Sequence, residues 1–314
     1  MDFMNRRKLA IILLWTIVAS AAVAIAGAGG DRPLQLARTS ASAPTDSAGA
    51  DVVRFVALGD TGTGGKAQYA IARRMLSYHD EKHYETVLLL GDNVYPNGNP
   101  AELPAKFEKP YAELLKRGVR FRAVLGNHDA QRGREAQTLY RPFNMGGRAY
   151  YSFVEGNGLV EFFALDSNKM DRAQLKWLEG ALSASKARWK IAFFHHPIYS
   201  SSMEHGSSLK LRALLEPLLV RYGVAAAFSG HDHVYERIKS QQGVKYFVSG
   251  AGGKLRRGDI IRNSPLFEAG NDEFNSFMYV EVKRERLTFW AVEPEGRILD
   301  VGYLAPPPSA TSRN

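Results

Sequence analysis

The sequence contains no cysteine among its 314 residues. Disulfides are therefore excluded, and so are metal sites built from thiolates. A chain without either must take its stability from a packed core and from any metal that oxygen and nitrogen ligands hold. The composition, 45% hydrophobic and 23% charged residues, is that of a soluble globular protein.

Long runs of one charge are also missing. The formal net charge is +9, but the basic residues are dispersed, and the densest groups are Lys254–Arg257 and Lys283–Arg286. Groups this short are typical of a solvated face and predict no nucleic-acid partner. From the basic excess we expect only a mild attraction of anionic substrates.

One uncharged run, Leu9 to Gly30, follows Arg6, Arg7 and Lys8. Basic residues before such a run are typical of an export signal, and its Ala- and Gly-rich second half favours cleavage after about Ala26. The alternative is an uncleaved anchor, because a membrane span needs roughly 20 apolar residues and this uncharged run has 22 residues. Both alternatives predict export: the protein is secreted or periplasmic if cleaved, and membrane-anchored if not.

Composition also marks the ends of the folded domain. Residues 31–50 are rich in Ala, Ser, Thr and Pro without periodicity, which predicts a linker. Residues 305–314, with three consecutive prolines, predict a disordered tail. The folded domain is therefore predicted to span residues 51–304.

Short apolar runs rich in valine and phenylalanine alternate with segments of helical pattern along this domain. Runs of this length suit buried strands, and the alternation predicts an α/β fold with a mostly parallel sheet. Asp171 is the expected N-cap of one helix, and Pro217 must either kink another helix or begin a new one. The predicted strands are 52–58, 87–90, 119–125, 160–165, 191–194, 224–228 and 245–248, with a hairpin over 150–165 and two more strands near 278–283 and 287–292; the predicted helices are 66–78, 101–117, 171–185 and 207–222.

Most of the predicted core strands stop at a residue that can bind a metal. In open α/β sheets the ligand crevice lies beyond the carboxyl ends of the strands, so these side chains are expected to converge. The glycines before three of them allow a tight exit from the strand and close backbone approach. His231 and His233 project to the same side of an extended segment. The strand ends are Leu58-Gly59-Asp60, Leu90-Gly91-Asp92, Leu125-Gly126-Asn127-His128-Asp129, Phe194-His195-His196 and Phe228-Ser229-Gly230-His231.

Other interpretations of these segments fail or weaken. The loop Gly59–Lys66 lacks the glycine and the hydroxyl residue that a P-loop requires, because Asp60 and Ala67 occupy those positions. An H-x-H-x-D-H zinc motif would need Asp and His where Tyr235 and Glu236 stand. A lone aspartate after a strand is ordinarily a turn residue or a cap, and a lone H-x-H is ordinarily a surface pair. Five such strand ends together favour a metal site.

The ordered motifs resemble those of the calcineurin-like metallophosphoesterases. Tyr95, three residues after Asp92, and the segment Ser202–Gly206 narrow the resemblance to the purple acid phosphatases of the small tartrate-resistant type. The resemblance covers roughly residues 54–253 and implies a four-layer αββα sandwich. Thr61 and His196 depart from the aromatic residues common at these positions in the small animal enzymes. The motifs are Gly59-Asp60-x-Gly62, Gly91-Asp92-Asn93-Val94-Tyr95, Gly126-Asn127-His128-Asp129, His195 with Pro197, and Gly230-His231-Asp232-His233.

The resemblance also implies a dinuclear metal centre in which Asp92 bridges the two ions. A carboxylate and a phenolate favour Fe(III), whereas an amide oxygen with two imidazoles suits Fe(II), Zn(II) or Mn(II). Such a pair acidifies a bound water, and the metal-bound hydroxide attacks phosphorus directly. The implied ligands are Asp60, Asp92, Tyr95 and His233 for the first metal and Asp92, Asn127, His195 and His231 for the second.

Two more histidines are candidate catalytic residues. The resemblance implies that His128 faces the phosphate and that His205 protonates the leaving oxygen. We expect Asp129 to hold His128. His196 is equally well explained by packing or by substrate contact. Asp166 and Asp232 are assigned to loop structure.

The implied function is hydrolysis of small phosphate monoesters by an exported enzyme. The metal ligands do not distinguish this activity from that of a phosphodiesterase or nucleotidase. A noncatalytic binding protein with the same fold is less favoured, because no ligand of the set is missing.

Overall fold

The computed structural model describes residues 52–307. The predicted leader (1–30), the predicted linker (31–50) and most of the predicted tail (305–314) lie outside the described residues. Between residues 52 and 307, no helix is both long enough and apolar enough to cross a membrane.

Two β-sheets form the centre of the fold. The first has the order β13-β12-β11-β1-β2-β3. Strands β1 to β3 pair in parallel, and the three C-terminal strands extend the sheet in antiparallel fashion. Its strands are β1 (Val52–Leu58), β2 (Thr86–Leu89), β3 (Arg120–Ala123), β11 (Phe277–Lys283), β12 (Arg286–Val292) and β13 (Ile298–Leu304).

The second sheet has the order β10-β8-β9-β7-β6-β5-β4. Its middle strands are parallel, whereas β4 with β5, β8 with β9 and β10 with β8 pair in antiparallel fashion. A tight connection returns the chain from β8 to β9 at Gln242 and Gly243, which both have positive φ. The expectation of a mostly parallel sheet is therefore wrong, since both sheets are mixed. The strands are β4 (Tyr151–Glu155), β5 (Val160–Ala164), β6 (Trp189–Phe193), β7 (Ala226–Ser229), β8 (Tyr235–Gln241), β9 (Val244–Ser249) and β10 (Phe267–Asn271).

The sheets pack face to face, and helices cover the outer faces. The buried ring of Phe55 in β1 meets Phe162 and Phe228 of the second sheet edge-on, with ring centroids 5.1 and 5.7 Å apart. Because successive strand residues alternate in direction, Phe163 points outward and packs with the leucines of two helices. The predicted αββα sandwich is confirmed. The helices are α1 (Lys66–Lys82), α2 (Ala112–Lys116), α3 (Asp129–Arg132), α4 (Arg134–Leu139), α5 (Arg172–Ala184) and α6 (Leu209–Arg221).

The helices predicted over 66–78, 171–185 and 207–222 are present as α1, α5 and α6, whereas a fourth predicted helix fails where prolines recur. Asp171 caps α5, since its carboxylate accepts the backbone N–H of Gln174 at 2.9 Å. The single helix predicted over 101–117 is wrong, because Pro104 and Pro110 divide it into a 3₁₀ turn, a π-helical segment and α2. Pro217 begins no new helix and lies inside α6.

Candidate metal centre

The carboxyl ends of the parallel strands of both sheets deliver the predicted ligands to one place. Asp60 follows β1, Asp92 follows β2 and Asn127 follows β3, whereas His195 and His231 follow β6 and β7 of the other sheet. The site therefore lies where the two sheets meet, and both contribute donors to it.

One group of donors surrounds Tyr95. Its hydroxyl lies 2.9 Å from Oδ1 of Asp60 and 3.2 Å from Nε2 of His233. The same two atoms of Asp60 and His233 are 3.5 Å apart. The structure thus brings the three predicted ligands of one metal into mutual contact, although they come from three separate loops.

A second group surrounds Asn127. Its Oδ1 atom lies 2.9 Å from Nε2 of His195 and 3.1 Å from Nδ1 of His231, and these two ring nitrogens are 3.2 Å apart. Asp92 reaches this group, with Oδ1 3.5 Å from Nε2 of His195. Donor atoms of Asp60, Asp92 and His195 all lie within 4.8 Å of one another. Asp92 therefore joins the two groups, as its predicted bridging role requires.

Three of the predicted ligands have left-handed backbone conformations, which side chains other than glycine rarely adopt. The φ angles are +58° at Asp60, +54° at Asp92 and +72° at His231. Hydrogen bonds hold this arrangement: the backbone N–H of His231 donates to Oδ2 of Asp60 at 2.8 Å, and that of His128 donates to Oδ1 of Asp92 at 3.0 Å. Strained backbone concentrated at one place is typical of a functional site.

The glycines of these loops are required for close approach. A Cβ atom at Gly126 would lie 2.0 Å from Oδ1 of Asp92, and one at Gly91 would lie 2.6 Å from Nδ1 of His195. Both positions exclude any side chain, so the predicted reason for these glycines is confirmed.

The charges of the site fit a bound cation. Asp60 and Asp92 are almost completely buried, and within residues 52–307 neither forms an ion pair with a lysine or arginine. Burial, with the charge of Asp92, raises the pKa of Asp60 well above its ordinary value. Two buried carboxylates this close need a compensating positive charge to stay ionised.

The histidines offer lone pairs to such a cation. Burial lowers the pKa of His195 well below its ordinary value and that of His233 to about 4, so both rings are neutral near pH 7. Nδ1 of His195 lies 2.9 Å from the carbonyl oxygen of Leu90, which can only accept, so Nδ1 carries the proton. Its Nε2 lone pair then faces the amide oxygen of Asn127 with no proton between them. Neutral imidazoles and carboxylates are the forms that metals bind, so the residues fit a metal pair.

Both candidate catalytic histidines lie at the edge of this group. The ring of His128 packs against that of Tyr95, with centroids 4.7 Å apart, and its Nδ1 contacts the carbonyl of Pro96. Its other nitrogen, Nε2, lies 3.8 Å from Oδ2 of Asp92. The exposed ring of His205 stacks on His231 at 4.2 Å. Each is therefore placed to contact a substrate rather than to complete the core of the site.

The predicted role of Asp129 is wrong, because its carboxylate does not contact His128. It accepts the backbone N–H groups of Gly126, Asn93 and Val94 at 2.9 to 3.1 Å, and the side-chain amide of Gln137 at 2.8 Å. A buried carboxylate is stabilised by several donors, and the backbone donors come from the loops after β2 and β3. Asp129 therefore ties the Asp92 loop to the Asn127 loop.

Sequence analysis missed Asn93 and Gln137, the partners of Asp129. The amide of Asn93 donates to Asp129 at 3.2 Å and to Gln137 at 3.1 Å. The position of Asn93 directly after Asp92 could have indicated its role, whereas Gln137 belongs to no motif. Asp232 accepts the hydroxyl of Ser200 at 2.6 Å, as expected for a loop residue.

Asp166 and His196 lie on the Asn127 side. Asp166 accepts the backbone N–H of Asn168 at 3.0 Å, which is the loop role predicted for it. Nδ1 of His196 lies 2.8 Å from Oγ of Ser167, and its ring centroid is 4.5 Å from that of His231. His196 therefore borders a predicted ligand, so both packing and substrate contact remain open to it.

The basic run Lys254–Arg257 was interpreted as a solvated face, but the structure places it against the site. The ammonium group of Lys254 lies 3.9 Å from the ring centroid of Tyr95, and its backbone N–H donates to the carbonyl of Asp60 at 3.2 Å. The sequence alone does not indicate that this run contacts the loops that carry the predicted metal ligands.

Comparison with known proteins agrees with this geometry. A family model described as calcineurin-like phosphoesterase matches residues 53–235, which is more than half of the chain. This chain belongs to the calcineurin-like phosphoesterase family. The tartrate-resistant acid phosphatase type 5 of Rattus norvegicus is 30% identical over 296 residues, which cover 81% of this chain and 90% of that protein.

Two solved structures of similar fold are described as proteins with different roles. The purple acid phosphatase PPD1 from yellow lupin seeds aligns with a TM-score of 0.68 at 19% identity, over 82% of this chain and 54% of the lupin chain. GAP50, described as the anchor in the inner membrane complex of Plasmodium, aligns with a TM-score of 0.71 at 22% identity, over 83% and 91%. These two similarities establish the fold. The family and its acid phosphatase relatives make this phosphoesterase a metal-dependent phosphoric ester hydrolase.

Proposed function

We propose that this protein is an exported phosphatase that hydrolyses small phosphate monoesters with a dinuclear metal centre. The observation that carries the proposal is the junction at Asp92, whose carboxylate lies between the donors around Tyr95 and those around Asn127. The donor types support Fe(III) in the Tyr95 group, because a phenol and a carboxylate suit a hard ion. Fe(II), Zn(II) or Mn(II) suits the Asn127 group.

The bound metals supply an acidified water and positive charge for the phosphoryl oxygens. The chain's own residues orient and complete the reaction. Hydrogen bonds that fix Asp92 and Asp60 hold the two halves of the site in one geometry, and preorganised groups of this kind need no rearrangement in the transition state.

The two histidines at the edge are assigned separate roles. His128, fixed by the contact of Nδ1 with Pro96, presents Nε2 to the phosphoryl group. His205 is exposed and stacked beside His231, so its ring can reach a leaving oxygen and give it a proton. His196 adds a polar edge on the Ser167 side.

A monoester and a diester that share one leaving group test the substrate assignment. We expect the metal-loaded protein to hydrolyse 4-nitrophenyl phosphate with a higher kcat/KM than bis(4-nitrophenyl) phosphate. The reverse preference would make it a phosphodiesterase. No hydrolysis of either by protein with full metal content would instead favour a noncatalytic role, such as the anchoring for which GAP50 is named.

Export is proposed from the N-terminal segment, whose basic residues precede an uncharged run. Full-length protein should appear outside the cytoplasm after cell fractionation. N-terminal sequencing distinguishes cleavage near Ala26 from an uncleaved anchor. Protein found only in the cytoplasm would contradict the export proposal.

A further inference from the structure

Ser167 and His196 form a fixed pair beside the Asn127 group of donors. The hydroxyl oxygen of Ser167 lies 2.8 Å from Nδ1 of His196 and accepts the backbone N–H of the same residue at 3.0 Å. One ring nitrogen of His196 lies within 4.8 Å of ring nitrogens of His195 and His231. The pair therefore reaches the edge of the metal centre, although neither residue belongs to the predicted ligand set.

The hydroxyl proton of Ser167 decides which ring nitrogen of His196 is protonated. Ser167 is buried, and within residues 52–307 its hydroxyl has no acceptor other than Nδ1 of His196. If Nδ1 carried a proton, two N–H groups would donate to the same oxygen and the hydroxyl proton would lack a partner, which is costly in a buried place. The hydroxyl therefore donates to Nδ1, and the proton of the ring is on Nε2.

Nε2 of His196 is available to a ligand. It forms no hydrogen bond with any residue between 52 and 307, and it is not among the buried polar atoms that lack a partner, so solvent reaches it. A protonated Nε2 has no lone pair for a metal. His196 is therefore a hydrogen-bond donor beside His195 and His231 and does not add a third imidazole to the second metal.

The segment that carries Ser167 is tied to the loop of the ligand Asn127. The side-chain amide of Asn168 donates to the carbonyl of Leu125 at 2.9 Å, two residues before Asn127. Ser167 thus holds His196 in a fixed position relative to that ligand. A donor that is fixed before the substrate binds needs no rearrangement in the transition state.

We propose that His196, oriented by Ser167, donates a hydrogen bond from Nε2 to a phosphoryl oxygen of the substrate and stabilises the charge on that oxygen in the transition state. This inference rests on the proposed phosphatase function. It makes His196 a catalytic residue and Ser167 its positioning residue. Since His128 lies on the Tyr95 side and His196 on the Asn127 side, the phosphoryl group meets a donor from each side of the centre.

Three variants separate hydrogen-bond donation from packing. His196→Phe removes the donor and keeps a ring of similar shape, whereas His196→Gln keeps an N–H group near the position of Nε2. Ser167→Ala removes the contact that orients the ring. Ser183→Ala, at an exposed serine of α5, is the matched control. Elemental analysis and a melting temperature for each variant show whether it retains its metals and its fold.

We expect kcat for 4-nitrophenyl phosphate to fall about 10²-fold in His196→Phe, as for the loss of one preorganised donor. In Ser167→Ala it should fall about tenfold, because the ring loses its orientation but keeps its proton. KM and metal content should change little, His196→Gln should recover part of the loss, and Ser183→Ala should match the parent. Vanadate, an analogue of the transition state, should lose affinity for His196→Phe more than inorganic phosphate does.

The double variant of Ser167→Ala and His196→Phe tests the positioning role. It should be no slower than His196→Phe alone, because Ser167 acts only through that ring. A further fall in kcat would overturn this role.

Loss of metal in His196→Phe would overturn the proposal, because His196 would then be a ligand. A kcat equal to that of the parent in His196→Phe would overturn it as well, since His196 would only pack, and so would equal losses of affinity for vanadate and phosphate. Failure of the parent to hydrolyse any phosphate ester is a different result, since it contradicts the phosphatase function itself.

Discussion

The hydroxyl of Tyr95 lies 2.9 Å from Oδ1 of Asp60. Burial, with the charges of Asp60 and Asp92, raises the pKa of Tyr95 well above its ordinary value. Without a cation the phenol therefore keeps its proton and donates a hydrogen bond to Asp60. A trivalent metal would replace that proton, so metal binding and deprotonation of Tyr95 are coupled.

Substitution of Tyr95 by Phe tests this coupling through the visible spectrum. The iron-loaded parent should absorb in the visible, because phenolate bound to Fe(III) gives a charge-transfer band, and Tyr95→Phe should lose nearly all of that absorption. Iron content is measured in both proteins as the control. An iron-loaded parent without a visible band, or a variant with the parent's band, shows that Tyr95 is not a ligand.

Substitution of Asp129 by Ala should destabilise the fold and weaken metal binding. The change leaves several buried N–H donors unsatisfied, so the free energy of unfolding should fall by about 3 kcal/mol or more, measured by urea denaturation. Asp171→Ala, which removes only the cap of α5, is the control and should cost about 1 kcal/mol with metal content unchanged. A variant at position 129 as stable as this control would contradict the role of Asp129 between the two loops.

Substitution of His205 by Ala should affect poor leaving groups most. We expect kcat to fall about 10²-fold for an alkyl phosphate and much less for 4-nitrophenyl phosphate, because only the alkoxide needs a proton as it leaves. Met203→Ala on the same exposed loop should change neither rate. Equal losses for the two substrates in His205→Ala would exclude proton donation by this residue.

Removal of the metals should lower the melting temperature, because the buried carboxylates of Asp60 and Asp92 then repel each other. At metal concentrations about 10²-fold above Kd, binding stabilises the folded state by about 2.7 kcal/mol. Thermal unfolding with and without a chelator measures the shift. The shift should persist in His205→Ala and largely disappear in Asp92→Asn; a full shift in Asp92→Asn would place the metals elsewhere.

Sequence patterns predicted the parts of this fold that depend on local chemistry. The convergence of Asp60, Asp92 and His195 could be predicted because each follows a buried strand, and parallel strands bring their carboxyl ends together. The cap at Asp171 could be assigned because an N-cap is a local hydrogen bond.

The parts that sequence could not predict depend on contacts between distant segments. Asp129 stands beside His128, but its donors come from the Asp92 loop and from Gln137 in α4. Lys254 belongs to a short basic run whose position over Tyr95 is set by hydrogen bonds to the Asp60 and His233 loops.

The helix predicted over 101–117 fails for a local reason, because Pro104 and Pro110 both lack a backbone donor.

Metal content per chain, measured on the same purified sample as monoester hydrolysis, tests the dinuclear assignment most directly. We predict about two metal ions per active chain, and for Asp92→Asn a loss of metal together with a fall in kcat of about 10³-fold or more. Full hydrolysis by protein that holds one metal ion or none, or by an Asp92→Asn variant that has lost its metals, would contradict the assignment.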